Sequence, residues 1–219
     1  MSFHHAPHAS DPALDELLAG YAAGTLILPL HALVAAHLAI KPDNRRYVES
    51  LEAIGGDAVV RSEPVPLTNR EARLAAIFAD DEGDVAPAAA RGCAVVPAAL
   101  AAFLGRPLAD LAWKTRLPGI REFPVKDCGT AEASLLWIKP GRVLPSHTHD
   151  GTEVTLVLQG GFGDGTGHYR RGDIAIADGE IDHRPKADDD ADCICFAVID
   201  APLRLTGPVG RLLQRLRGH

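Results

Sequence analysis

At 219 residues and 47% hydrophobic content, the chain is long enough for one large domain or two small ones with a real core. Its 29 acidic side chains outnumber 22 basic ones, a formal charge of −7 that argues against a nucleic-acid binder and so against direct DNA contact. No apolar run approaches a bilayer crossing, and the opening MSFHHAPHASD lacks a basic or apolar signal region, so the expectation is a cytoplasmic protein with no membrane partner and reduced cysteines.

The first quarter is helical by pattern. Leu14, Leu17, Leu18 and Tyr21 recur at helical spacing behind Asp11 and Pro12, a capping residue and a first-turn proline, and Gly24 punctuates the run. A second apolar stretch covers 26–40 and a third 45–54. The third is expected to close at Gly55 and Gly56, because glycine is costly inside a helix. A further helix over 69–79 completes a small bundle. Residues 80–92, DDEGDVAPAAARG, shift to acidic residues, alanine, glycine and proline and read as a linker. A short helix over 97–104 follows, with Pro107, Leu108 and Trp113 docking it on the next domain.

Beyond Pro118 the segments become short and β-type. EASLLWIKP, EVTLVLQG, DIAIAD and CICFAVID have strand length, whereas GGFGDGTG and DGEID read as turns, a pattern of sandwiches and barrels. Cys193 and Cys195 share one face of the CICFAVI strand. Buried packing is their simpler role, and a redox-sensing pair near a metal is the alternative. Residues 210–217 form a basic amphipathic stretch placed on the surface. The divisions are therefore a helical domain over 1–80, a linker and docking segment over 81–112, a β domain over 113–207 and a tail over 208–219.

The chemistry lies in the β domain. Gly141, His147, His149, Glu153 and Gly160 follow G-x5-H-x-H-x3-E-x6-G, and side chains two apart on a strand leave the same face, so His147 and His149 can converge on one ion. This spacing resembles the first motif of the cupin family. The second cupin motif is partial: Gly172 stands eleven residues before His183, but Asp178, Glu180 and Ala187 replace its proline, glycine and asparagine. The resemblance implies an α + β protein whose C-terminal domain is a double-stranded β-helix, or jelly-roll barrel. It also implies one divalent ion held by His147, His149, Glu153 and His183. Zinc is the first expectation, with iron, manganese or nickel as alternatives that coordination geometry would separate. Asp150 and Asp182, adjacent to these residues, are candidates for hydrogen bonds to imidazole N–H groups.

Across nearly the whole chain, the phrases LLAGYAAGTL, VAAHLAIKPDNRR, the Gly55-Gly56 pair and the VPAAL…W…PGI approach to the barrel resemble the ChrR-type cupin anti-sigma factors. In that family the helices carry a second zinc site, H-x3-C-x2-C plus an upstream histidine, and clamp an extracytoplasmic-function (ECF) sigma factor. Here His37 keeps its place, Lys41 and Asn44 stand where both cysteines belong, and His8 is at best the upstream histidine. A protonated lysine offers no lone pair and asparagine is a poor zinc ligand, so no ion is expected there. His37 and His31 are then packed or surface residues. The bundle must be held by burial, with Leu26, Leu28, Leu30, Leu33, Val34, Leu38 and Ile40 packing on the first and third helices. Any apolar face left open should take a sigma factor or a second copy of the chain. The resemblance implies a regulator whose helices sequester the sigma factor and whose barrel senses oxidative or related stress. The alternative is a metal-dependent cupin enzyme of dioxygenase type, using the helices for dimerisation.

Overall fold

The computed structural model describes residues 11–79, 92–126, 128–201 and 203–206. His8, the tail from 208 and all of the expected linker except Gly92 lie outside the described residues. Among the described residues, five α-helices precede the β-strands: α1 (Pro12–Ala22), α2 (Leu28–Ile40), α3 (Arg45–Arg61), α4 (Arg70–Ala79) and α5 (Ala98–Leu104). Asp11 caps α1 by accepting from the amide of Ala13 at 3.0 Å, with Pro12 in the first turn, where its missing N–H is not needed.

The third helix does not stop at Gly55. It runs through both glycines to Arg61, and a methyl group at either position would meet nothing within 4 Å. The glycines therefore bring no packing contact and cost about 1 kcal/mol each relative to alanine. The propensity of the residues on either side carries the helix through.

Eleven strands follow among the described residues: β1 (Lys114–Leu117), β2 (Ile120–Val125), β3 (Glu132–Ile138), β4 (His147–His149), β5 (Glu153–Gln159), β6 (Gly161–Gly163), β7 (His168–Arg170), β8 (Ile174–Ala177), β9 (Lys186–Ala187), β10 (Cys193–Ile199) and β11 (Leu203–Leu205). They form a six-stranded sheet in the order β1-β2-β3-β10-β5-β8, a three-stranded sheet β7-β6-β9 and a pair β11-β4, with antiparallel neighbours throughout. Part of the glycine-rich GGFGDGTG, expected to be a turn, is strand β6, pairing with both β7 and β9; the turn itself is confined to 164–167. Glycine's weak strand preference is overridden by pairing on both edges.

β5 and β10 are buried on both faces, which is why EVTLVLQ and CICFAVI read as near-continuous apolar runs. Inward, Val157, Cys193 and Cys195 pack with Ile120, Ile138 and Phe162 to fill the barrel. Outward, Leu156, Leu158, Ile194, Phe196 and Val198 join Leu18, Leu33, Val34, Leu38 and Leu100 in one continuous core. Phe103 of α5 meets Phe196 edge-on with centroids 6.0 Å apart, and Trp113 meets Trp137 in the same way at 5.4 Å.

The second helix thus lies against α5 and the barrel's outer face rather than only against α1 and α3. Leu33, Val34 and Leu38 are fully buried and Leu26, Leu30 and Ile40 pack partly, whereas Leu28 is 66% exposed. At about 25 cal/mol per Å2 of apolar surface, burial in this shared core holds the helices against the barrel.

Candidate metal centre

His147 and His149 leave the same side of the short strand β4, Glu153 opens β5 after a three-residue turn, and His183 sits in the segment that bridges back to His147 through paired backbone hydrogen bonds of 3.0 and 3.1 Å. All four side chains are buried. Their donor atoms converge. His183 Nε2 lies 2.9 Å from His147 Nε2 and 3.4 Å from His149 Nε2, and Glu153 Oε2 lies 3.0, 3.5 and 3.9 Å from the Nε2 atoms of His149, His183 and His147. One ligand atom from each falls within 4.8 Å of the others, so these residues can hold a metal ion.

Proton placement shows why this set suits a cation. The carbonyl of Pro145 can only accept, so the proton of neutral His147 is on Nδ1, 2.8 Å from that oxygen, and its Nε2 lone pair points inward. His183 Nδ1 faces the carboxylate of Asp164 at 3.2 Å, which leaves its Nε2 lone pair inward as well. With both rings neutral, the two Nε2 atoms face each other at 2.9 Å beside a carboxylate, an arrangement that a proton or a metal cation between them stabilises. His149 Nδ1 is buried with no hydrogen-bond partner among the described residues, a further sign that this ring is placed for its Nε2.

Electrostatics follow the same logic. Burial would raise the pKa of Glu153, but the close approach of the His147, His149 and His183 rings outweighs it and holds the carboxyl well below its ordinary value. Burial would lower that of His183, but Glu153 and Asp164 reverse it and raise the imidazole above its ordinary value. Cys195 lines the same small cavity as His147, Glu153 and His183. Its thiol, 3.4 Å from that of Cys193, is pushed well above its usual range by that contact and by burial. It stays a protonated thiol, the form that packs rather than reacts.

The carboxylate on an imidazole N–H is neither of the two adjacent acids. Asp150 pairs with Arg204 at 2.9 Å and Asp182 accepts from Thr206 Oγ1 at 2.8 Å, both turned to the surface by the strand alternation that buries their histidine neighbours. Asp164, nineteen residues before His183 in a glycine-rich turn, takes that place with its side chain only 3% exposed. Sequence reasoning assigned this turn no function. Its Asp-x-Thr-Gly pattern, which lets Asp164 accept from Thr166 and Gly167, was the available signal.

The helical histidine is built differently. His37 is 2% exposed, and its Nδ1 donates to the carbonyl of Gly172 in the barrel at 2.7 Å while its Nε2 accepts from Asn44 Nδ2 at 2.8 Å. Lys41 forms an ion pair with Asp173. Desolvation lowers the pKa of His37, opposed by its bond to Gly172, so the ring is neutral with both nitrogens satisfied. No lone pair is left for an ion. His31 is exposed and stacks on Tyr21 with centroids 4.6 Å apart.

Residues 105–201 match the model of the ChrR cupin-like domain. Anti-sigma-E factor ChrR of Cereibacter sphaeroides is 42% identical over 202 residues, spanning 91% of this chain and 94% of that protein. The chain belongs to the ChrR family. The crystal structure of Rhodobacter sphaeroides SigE in complex with the anti-sigma ChrR matches it with a TM-score of 0.72 at 40% identity, covering 85% of this chain and 96% of the other. Lys41 and Asn44 sit where the helices meet the barrel.

Proposed function

We propose that this chain is an anti-sigma factor that sequesters an ECF sigma factor through its N-terminal helices and reads oxidative or related chemical stress in its barrel. The observation that carries this reading is an apolar surface that no described residue covers, on the part of the helical segment that does not join the shared core. Ile54, Val59 and Val60 of α3, Val65 and Leu67 between the helices, and Ile77 and Phe78 of α4 are all exposed, Phe78 by 83%. So many large apolar side chains on two short helices mark an interaction surface. An amphipathic helix set against a partner's groove is the matching mode. The anti-sigma activity of the relative and near full-length coverage of both chains support the same assignment.

Within this reading, His147, His149, Glu153 and His183 hold one divalent ion, zinc first, with iron, manganese or nickel as the alternatives. The ion would supply a cross-link between the β4–β5 hairpin and the segment carrying His183. The cavity beside these residues measures about 30 Å3, room for roughly one water, and is otherwise lined by Leu136, Ile138, Leu144, Phe162 and other apolar groups. So small and mostly apolar a space beside the donors favours sensing over turnover. Burial and the protonated state of Cys195 favour packing for it and Cys193. No helix among the described residues is long and apolar enough to cross a membrane, in keeping with action in the cytoplasm, where a sigma factor works.

Co-purification with each ECF sigma factor of the same genome, followed by transcription inhibition, tests the assignment. Phe78→Asp and Val60→Glu should abolish binding while leaving the metal content unchanged. A chain that binds none of these sigma factors, or that uses the apolar surface only to self-associate, contradicts it.

A further inference from the structure

The β6–β7 hairpin touches both halves of the molecule. At its tip, Asp164 Oδ1 accepts from the Thr166 amide, Thr166 Oγ1 and the Gly167 amide at 3.0, 2.6 and 3.2 Å, while Oδ2 accepts from His183 Nδ1. Thr166 Oγ1 is 3.1 Å from Tyr169 Oη, and the Tyr169 ring packs on Phe162 with centroids 5.2 Å apart, tying the tip to both strands.

At the other end, the turn Arg171–Gly172–Asp173 is gripped from several sides. Arg171 donates to the carbonyls of Leu158 and, at 3.1 Å, Val95 just ahead of α5. His37 donates to the carbonyl of Gly172, and Lys41 pairs with Asp173, whose Oδ2 also accepts from the Arg170 amide at 2.7 Å. One carboxylate thus joins the end of β7 to the end of α2. Gly172 has φ +88°, and a methyl group there would lie 2.7 Å from Ile40 Cγ2 and 2.9 Å from Lys41 Cγ. The helix is seated so closely that only glycine fits beneath it.

We infer that this hairpin is a strut between the four-donor cluster and the helical segment, so that disturbing His183 loosens the seat of α2, and loosening that seat weakens ion binding. The inference deepens the proposed function, on which it rests for the meaning of the coupling. By linkage, a free energy that passes from one end to the other must also pass back. The polar contacts of His37, Lys41 and Asn44 then do more than replace a helical ion: they make the barrel the support of the helices.

The test uses the full chain loaded with Zn(II), an Asp164→Asn variant and a His37→Ala/Lys41→Met double variant, each checked for native circular dichroism. Asp164→Asn should lower Zn(II) affinity about 10–100-fold. Saturated with Zn(II), it should also exchange amide hydrogens faster than wild type in the last turn of α2 and at Gly172 and Asp173. The double variant, which touches no donor of the cluster, should lower Zn(II) affinity several-fold. Unchanged exchange in the first variant, or unchanged affinity in the second, overturns the strut. Sigma-factor binding is measured on the same samples. Coupling without binding would sink the anti-sigma reading and leave the strut standing, and binding without coupling would do the reverse.

Discussion

Two sites of buried histidine in one chain, three rings in the barrel and one at the helix–barrel junction, have opposite outcomes. In the barrel, Pro145 and Asp164 take the outer N–H groups of His147 and His183, leaving bare nitrogens 2.9 Å apart beside Glu153. At the helix–barrel junction, Asn44 fills the acceptor nitrogen of His37 and Gly172 takes its proton. Burial is common to both and decides nothing. What matters is the group facing the lone pair: another lone pair calls for a cation, whereas an amide N–H closes the site.

The sharpest way to break this contrast is to remove one donor from the barrel. With Zn(II) at about a thousandfold its Kd, the ion should stabilise the folded chain by about 4 kcal/mol, and His149→Ala should erase that gain in chemical denaturation. A variant as zinc-responsive as wild type would mean that the ion binds elsewhere. His37→Ala should instead cost about 1–3 kcal/mol without Zn(II), because it strands the Gly172 carbonyl and an Asn44 donor, and should trim the zinc-dependent gain by no more than about 1 kcal/mol, the several-fold weakening passed through the hairpin. Loss of the whole zinc-dependent gain in this variant would put an ion back in the helices.

The contrast also has a pH signature. His37 has a folded-state pKa lowered from 6.5, so its neutral form contributes stability that is fully present above that value. As pH falls through the folded-state value the contribution disappears, since the unfolded chain takes up the proton first. The stability difference between wild type and His37→Ala should therefore shrink between about pH 7 and pH 5. A difference that grows on acidification contradicts the neutral, doubly bonded ring. The smallest effect belongs to Lys41→Met. Its ion pair with Asp173 is partly exposed, and its loss should cost no more than about 1 kcal/mol in urea titration.

Much of this was legible in the sequence. Strand alternation makes His147 and His149 neighbours on one face, and the resemblance supplied Glu153 and His183. That Lys41 and Asn44 are poor zinc ligands follows from their chemistry. Other features depend on partners distant in sequence. Asp164 reaches His183 only because β6 and β9 pair and bring residues nineteen apart together. That α2 leans on α5 and the barrel could not be read from its periodicity, because a helix apolar on most sides does not say which neighbour covers which side. The run of α3 through Gly55 and Gly56 was misjudged because a local penalty of about 2 kcal/mol in all is too small to end a helix alone.

The most direct measurement is metal content per folded chain by elemental analysis, for the full-length protein and for His149→Ala and His37→Ala. The account predicts about one equivalent in the wild type and in His37→Ala, and none in His149→Ala. Two equivalents falling to one in His37→Ala, or a full equivalent retained by His149→Ala, would contradict it.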